Sequence, residues 1–290
     1  MRPIRTVVPF LAAALAVALC APAHCQLKTP RLSPGATLKQ TIGTTDLTVV
    51  YSRPGVKGRS IWGTLVPYDK PWRTGANEAT DFTTADDIMV EGKALPAGTY
   101  AFLTIPGKDT WTVVFSKQKD MWGAFDYKES EDVVRATVTP VALSEPQEWM
   151  EITIDPTSAN TAELAVRWEK LKVPVKFSVD VNGKVLKDAR AAIAAAKPDD
   201  WRTPWSAANW AFDNNASPDE AKQWAAKALA VNKNPRTLQV NARIAQKAGK
   251  QKEAAAQMAE AITLAKADKE FSKELTATYE KTLAEWSAKK

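Results

Sequence analysis

The chain is 290 residues long and carries 39 Lys and Arg against 33 Asp and Glu, a formal net charge of +6 with its single histidine neutral. This length fits two ordinary domains. The positive excess is too mild to be a nucleic-acid footprint, so no nucleic-acid partner is predicted.

The N-terminus has the organisation of an export signal. Arg2 and Arg5 form a basic start, residues 7–19 are an apolar run, and residues 21–23 are the small residues that signal peptidase accepts. We therefore predict a signal peptide over residues 1–25. The apolar run is short for a membrane span, so the mature protein is expected to be periplasmic or secreted, without a transmembrane anchor. A buried N-terminal helix and a lipid-modified cysteine are the disfavoured alternatives.

Cleavage between Ala23 and Cys25 removes much of the reactive chemistry. The only histidine, His24, and both cysteines, Cys20 and Cys25, lie at or before this region. The folded part is therefore expected to have no histidine base, no thiolate nucleophile, no disulfide and no Cys/His zinc site. No metal and no cofactor are predicted. Any catalysis would depend on carboxylates, Lys, Arg, Tyr, Ser and Thr.

The composition of the chain changes near residue 188. Before it, short β-branched and aromatic runs alternate with turn residues; after it, alanine-rich stretches dominate. We predict a multidomain β + α protein with a β-sandwich domain over residues 26–188, a linker over 189–200 and a helical domain over 201–290.

The first domain has the pattern of an antiparallel sandwich or barrel. Leu47, Val49 and Tyr51 alternate with polar or less apolar neighbours, as in a strand with one buried face. No helical pattern separates the strands, which disfavours a parallel sheet. The predicted strands are 47–52, 87–91, 99–105, 110–116, 133–139, 149–154, 162–168 and 173–179. Four aromatic residues are predicted to lie in the core: Tyr100, Trp111, Trp149 and Trp168.

The second domain has the pattern of helical hairpins. Ser217 and Pro218 are typical of a helix start, and Glu220 is placed for a capping box. Pro235 begins a second helix that stops at Gly249. Two further helices are predicted over residues 251–267 and 271–286.

An internal repeat connects two of these helices at an offset of 33 residues. It aligns Ala221, Ala225, Ala228 and Leu229 with Ala254, Met258, Ala261 and Ile262. The period is close to one tetratricopeptide unit, and the segment resembles tetratricopeptide repeats. The resemblance implies a groove for a protein partner. A helical cap that stabilises the β domain is the alternative, and both remain open.

Residues 52–80, called here the arginine–tryptophan block, mix cationic and aromatic side chains with glycines and prolines that prevent a long helix. Guanidinium groups match carboxylate, phosphate or sulfate oxygens, and aromatic rings stack on sugars. We therefore predict an anionic or glycan ligand here. The alternative is an internal scaffold, in which the arginines bind backbone carbonyls and the tryptophans fill space beneath the loops. The predicted ligand-binding residues are Arg53, Lys57, Arg59, Trp62, Tyr68, Trp72, Arg73, Asn77 and Glu78.

A catalytic site would have to use carboxylates of the same block. Glu78 and Asp81 are close enough in sequence to face one cavity, where two carboxylates can share acid and base roles in glycoside cleavage. Lys57 would act as a base only if it were desolvated. No catalytic residue is predicted beyond these weak candidates.

Several short motifs in the first domain form a recognisable set: IG at 42–43, YSRP at 51–54, KGR at 57–59, WG at 62–63, LVPY at 65–68, WRTGANEAT at 72–80, LPAGTY at 95–100 and WG at 122–123. Together they resemble the bacterial family called domain of unknown function 2911, over about residues 33–180. One departure is Asp69, where the family pattern has glycine. The resemblance implies an exported β-rich domain, often followed by helical repeats, and no established reaction.

Three functions are compatible with the sequence. The first is a non-catalytic exported binding protein of the bacterial envelope, with a ligand on the block and a protein partner on the helices. The second is a structural or assembly protein of the envelope whose block is an internal scaffold. The third is a carboxylate-dependent glycan hydrolase.

Overall fold

The computed structural model describes residues 29–288. The predicted signal peptide and its cleavage region lie outside the described residues. Within them the chain forms ten strands and then six helices. The strands are β1 Gly35–Ile42, β2 Thr45–Ser52, β3 Thr80–Thr84, β4 Ile88–Val90, β5 Lys93–Leu95, β6 Gly98–Ile105, β7 Trp111–Ser116, β8 Asp132–Val138, β9 Val141–Pro156 and β10 Thr161–Val179. The helices are α1 Val181–Ala195, α2 Arg202–Asp213, α3 Pro218–Val231, α4 Pro235–Lys247, α5 Gln251–Ala267 and α6 Lys273–Ala288.

The strands form two antiparallel sheets, in the orders β1-β2-β3-β6-β7-β8 and β5-β4-β10-β9. Leu47, Val49 and Tyr51 of β2 point between the sheets and are buried, which confirms the period-two prediction. Between the sheets Phe82 stacks on Phe177, with ring centroids 5.3 Å apart. The β domain followed by a helical domain matches the predicted fold class.

Three strands were not predicted, and two segments that were predicted as separate strands form a single strand. Strand β1 is a sheet edge whose exposed and half-buried positions alternate, so few apolar residues mark it. Strands β3 and β5 were also missed. Residues 162–168 and 173–179 both belong to β10, whose register against β9 shifts on either side of Glu169.

The core aromatic predictions are confirmed with one exception. Tyr100, Trp111 and Trp168 are buried. Trp149 was predicted to be a core residue, and this prediction is wrong: its side chain is 38 % exposed. The next residue along β9, Met150, points inward instead and is fully buried, because neighbouring residues of a strand face opposite sides.

The outer face of the six-stranded sheet is covered by the loop between β7 and β8. Ala101, Leu103 and Val114 point out of this face and would expose an apolar surface. Met121 and Tyr127 of the loop pack on them. The covering loop therefore belongs to the domain's packing, and it positions residue 122 on the surface.

Helix α1 follows β10 directly. Asp180 caps it by accepting a hydrogen bond from the amide of Gly183 at 2.8 Å. Val181 packs against the sandwich core, and Lys184 forms a 2.6 Å ion pair with Asp86. The predicted division at residue 188 falls inside this helix, because the helix follows β10 without a loop that would mark a boundary.

Helices α3, α4 and α5 begin where the sequence predicts, α6 begins at Lys273 instead of residue 271, and α2 was not predicted as a separate helix. Pro218 and Pro235 each stand in the first turn of a helix, and Asn234 forms a capping box with Thr237. Glu220 does not complete a capping box, because its carboxylate forms two hydrogen bonds with Arg190 of α1. None of the helices within residues 29–288 is long and apolar enough to cross a membrane.

The repeat positions occupy equivalent places in α3 and α5. Three of the aligned pairs are almost completely buried: Ala221 with Ala254, Ala225 with Met258, and Ala228 with Ala261. Small side chains at these positions let neighbouring helices approach closely. The 33-residue repeat is therefore a packing repeat.

Candidate functional site

The arginine–tryptophan block leaves the first sheet after β2 and returns to it at β3. On the way, isolated bridges connect Gly55 with Trp149, Trp72 with Thr104, and Glu78 with Trp122. The block therefore contacts β9 of one sheet, β6 of the other, and the covering loop.

Four tryptophans meet where the block enters the sandwich. The ring of Trp62 lies 5.9 Å from Trp72, 4.9 Å from Trp111 and 5.7 Å from Trp168, each in an edge-to-face arrangement. The indole N–H of Trp72 donates to the carbonyl of Gly75 at 3.1 Å. Trp62 and Trp72, which were predicted to bind a ligand, thus use their rings to fill the core.

Two arginines of the block bind backbone carbonyls. Arg53 donates from Nε to the carbonyl of Met150 at 2.8 Å. Arg59 donates to the carbonyls of Gly55 and Val56 at 2.5 and 3.1 Å. These bonds connect the block to β9 and stabilise its turns.

Lys57 lies on the β9 side of the block and is exposed. Its backbone amide donates to the carboxylate of Glu148 at 2.9 Å, and its ammonium group lies 5.6 Å from the ring centre of Trp149. The geometry therefore lacks the desolvation that a lysine base requires.

Turn geometry explains two of the motif positions. Asp69, at which the sequence resemblance implies glycine, has a φ of 60°, a backbone region that glycine adopts at least cost. At Gly63 a Cβ atom would lie 2.7 Å from the ring of Tyr68. The ring of Tyr68, another predicted ligand residue, therefore packs on the backbone of the block.

A family model for proteins of unknown function, DUF2911, matches residues 33–177. The chain belongs to this family. No curated protein and no solved structure matches the chain. The matched region runs from just before β1 into β10, so the DUF2911 domain comprises the sandwich and contains the whole arginine–tryptophan block.

Arg73 differs from the other arginines of the DUF2911 block. Its Nε atom is buried without an acceptor, and the side chain has no ion pair within the described residues. Burial lowers the pKa of this half-buried guanidinium, because the charged form is poorly solvated. The fold therefore holds one cation of the block at a cost in stability.

The end of the block forms one side of a surface cleft. Asn77 donates to the carbonyl of Ser33 and the hydroxyl of Ser52, both at 3.2 Å, which fixes the turn. Glu78 then forms a 2.7 Å ion pair with Arg31, and this hydrogen bond lowers the pKa of Glu78.

The cleft has a volume of about 220 Å³ and lies between β3 and the covering loop. Trp122, on its rim, has 66 % of its surface exposed. Asp81 is half-buried, and its carboxylate has no hydrogen bond or ion pair within residues 29–288. Burial, and to a smaller extent the charge of Asp120, raises the pKa of Asp81. The residues that line the cleft are Glu78, Ala79, Asp81, Asp120, Met121 and Trp122.

The structure thus divides the predicted site residues among three places. Arg53 and Lys57 contact β9, with Arg59 bound to the neighbouring turn of the block at Gly55. The tryptophans lie in the core, and Glu78 reaches the cleft with Asp81. Sequence reasoning missed Arg31, Asp120 and Trp122 as site residues. A usable signal was present at Trp122, which stands among charged residues outside any strand pattern.

Proposed function

We propose that this chain is an exported, non-catalytic binding protein of the bacterial envelope that holds a glycan in the cleft beside Trp122 and a protein partner on its helices. One observation supports a glycan as the ligand: the exposed indole of Trp122 lies beside the carboxylates of Glu78 and Asp81. A sugar offers a C–H face for an aromatic ring and hydroxyl donors for carboxylate acceptors.

The exposure of Trp122 supports a ligand on energetic grounds. A large aromatic side chain left in water forgoes roughly 2 kcal/mol that its burial would contribute. The neighbouring Met121 is buried against the sheet and serves the packing of the loop. Covering Trp122 with a sugar would recover part of that energy and satisfy the acceptors of Asp81.

Within this proposal the arginine–tryptophan block is the scaffold that positions Glu78. The hydrogen bonds of Arg53 and Arg59 to backbone carbonyls support this role. If the cleft binds nothing, the second candidate is a structural protein of the envelope.

The binding test uses the mature protein on an array of neutral and acidic envelope oligosaccharides, followed by calorimetry on the best sugar. Trp122→Ala is expected to weaken binding at least about tenfold, the loss for one stacking aromatic ring. Trp149→Ala, an exposed tryptophan on the other sheet, is the matched control and is expected to bind as the parent does. Equal losses in both variants, or no binding by the parent, would contradict the proposal.

Export is tested separately. The full-length chain, expressed with a C-terminal tag, is expected in the periplasmic or secreted fraction, with a new N-terminus between residues 23 and 26. An uncut protein in the cytoplasmic fraction would contradict export.

A carboxylate-dependent glycan hydrolase is the other candidate, because the pKa of Glu78 is lowered while that of Asp81 is raised. Opposite shifts are what a base and an acid require. If the array sugars are cleaved, Asp81→Asn is expected to abolish turnover, and retention of binding would separate this role from simple recognition.

A further inference from the structure

The proposed function leaves open what chemistry the helices recognise. Helices α2 and α4 lie side by side, and four cations follow their shared face, called here the basic face. Arg243 reaches from α4 to Asn209 and Asp213 of α2, and Lys247 donates to Asn215 at 2.9 Å. The basic face consists of Arg202, Arg236, Arg243 and Lys247.

Aromatic rings lie beneath these cations. Arg202 lies 4.9 Å from the ring centre of Trp201, and Arg236 lies 5.6 Å from that of Trp205. The ring centre of Phe271, before α6, lies at the same distance from Arg236. A cation held over a ring keeps hydrogen-bond donors free for an anion.

Phe212 supports the other two cations of the basic face. The guanidinium of Arg243 lies 4.6 Å from its ring centre and the ammonium of Lys247 lies 5.2 Å from it. Both positive charges therefore lie close to the same aromatic ring.

The charge of the basic face is only partly neutralised. Asp213 pairs with Arg243, whereas Arg202, Arg236 and Lys247 form no ion pair within the described residues. By contrast, Arg190 on α1 is held by both oxygens of Glu220, at 2.7 and 2.8 Å. That forked pair is the geometry a carboxylate from outside would adopt on the basic face.

The spacing of the cations suits an extended chain. Arg236, Arg243 and Lys247 lie seven and four residues apart in α4, so they share one side at separations of about 10 Å and 6 Å. Side chains on the same side of an extended peptide are about 7 Å apart. Carboxylates two residues apart in such a peptide would therefore meet Arg243 and Lys247, which are separated by a similar distance.

An apolar cleft continues the basic face at its end. It has a volume of about 310 Å³ and is lined partly by Phe212 and Ile244, with Lys222 and Lys247 at its sides. Such a cleft fits one apolar side chain flanked by acidic residues. Asp219 also borders it, and Asp213 lies nearby on α2, which disfavours an unbroken row of phosphates.

We propose that the basic face binds an acidic, extended segment of a partner protein that carries one apolar anchor residue. This inference rests on the proposed function only for the existence of a protein partner. The helical domain would then bind acidic peptides.

The test uses the mature full chain and three labelled twelve-residue probes measured by fluorescence anisotropy. One peptide contains Glu and Asp around a single Leu, the second replaces every acid by Gln or Asn, and the third probe is oligo-dT. The acidic peptide is expected to bind, and its affinity is expected to fall when salt rises from about 0.05 M to about 0.5 M.

Arg202→Glu with Lys247→Glu is expected to weaken acidic-peptide binding at least about tenfold, because each lost contact is a charge-assisted hydrogen bond. Both residues are exposed, so the fold should be kept.

The matched control reverses two exposed lysines away from the basic face, Lys252→Glu on α5 with Lys281→Glu on α6. It makes the same change in net charge and is expected to retain binding within about twofold. Circular dichroism of both double variants checks that the helices are intact.

Each outcome supports or overturns the inference. Selective loss in the Arg202 and Lys247 variant supports the basic face as the site. Equal loss in both variants would mean bulk charge attraction and would overturn the inference, as would stronger binding of oligo-dT than of the acidic peptide. If the neutral peptide binds and the acidic one does not, the partner-binding function survives and its acidic chemistry fails.

Discussion

The indole ring of Trp72 stacks on that of Trp168, with centroids 5.7 Å apart and an interplanar angle of 20°. Trp168 belongs to β10, and the backbone of Trp72 pairs with Thr104 of β6 in the other sheet. The stack therefore joins the two sheets through the arginine–tryptophan block, which makes the block part of the core.

Removing this stack should destabilise the β domain. Trp72→Ala is expected to lower the free energy of unfolding by about 3–5 kcal/mol, because it deletes a buried aromatic ring and leaves a cavity. Urea denaturation followed by tryptophan fluorescence measures the change. Trp149→Ala, which removes a partly exposed ring, serves as the control with an expected loss below about 2 kcal/mol. A loss at Trp72 no greater than the control's would contradict a core role for the block.

The two arginines Arg53 and Arg73 should respond oppositely to replacement by methionine. Arg53→Met removes the donor to the Met150 carbonyl and is expected to cost about 1–3 kcal/mol. Arg73→Met removes a half-buried charge that has no partner among residues 29–288, and it is expected to leave the melting temperature unchanged or raise it. Calorimetry of both variants measures the effect. A large loss at Arg73 would indicate a stabilising contact that its geometry lacks.

The carboxylates Asp81 and Asp86 should make opposite contributions to the pH dependence of stability. The raised pKa of Asp81 means that its ionised form destabilises the fold, so Asp81→Asn should melt higher at neutral pH. This advantage should shrink as the pH falls through the folded-state pKa of Asp81, because the parent side chain then becomes neutral too.

The ionised carboxylate of Asp86 should have the opposite effect on the stability of the fold. The hydrogen bond from Lys184 lowers its pKa, so its ionised form stabilises the fold above the unfolded-state value of about 4. Asp86→Asn should melt lower at neutral pH, and the difference should vanish as the pH falls through the folded-state pKa. Melting curves between about pH 3 and pH 7 test both variants. If the melting temperatures of both variants change with pH in the same direction relative to the parent, the opposite contributions of Asp81 and Asp86 would be refuted.

A half-buried polar network beneath the covering loop should be sensitive to loss of its shared acceptor. Tyr127 donates to Asp132 at 2.5 Å, and Arg135 donates to both of them, at 2.6 and 2.8 Å. Burial, together with this bond, raises the pKa of Tyr127. Asp132→Ala leaves two donors without their acceptor and should cost about 2–4 kcal/mol. Tyr127→Phe keeps the ion pair and should cost about 1 kcal/mol, measured in the same denaturation series.

The turn at Asp69 should accept the glycine of the family pattern. With a φ of 60° at this position, Asp69→Gly relieves backbone strain and is expected to raise stability by about 0.5–1 kcal/mol. Lys70→Gly, at the next position, has no such strain to relieve and should lower the melting temperature. An equal effect of the two glycines in calorimetry would count against a strained turn.

The parts of the fold that were predictable depend on local pattern. The alternation in β2 and the prolines at positions 218 and 235 act on the residues beside them, so they can be read without the rest of the chain. Strand β1 was missed because an edge strand with few buried residues has a weak pattern. Helix α1 was missed because it follows β10 without a loop that would mark where the strand pattern ends and a helix begins.

The family, the order of a β domain and a helical domain, and the residue types available for chemistry all follow from the order of amino acids. Which side chains meet depends on how the strands and helices pack. Arg53 finds its acceptor 97 residues away on β9, and the backbone of Glu78 forms a bridge with that of Trp122 in the covering loop. A guanidinium can donate hydrogen bonds to a backbone carbonyl as well as to a ligand anion. An indole ring can pack in a hydrophobic core as well as against a sugar. Their partners are set by strand pairing over long sequence separations, which no local pattern contains.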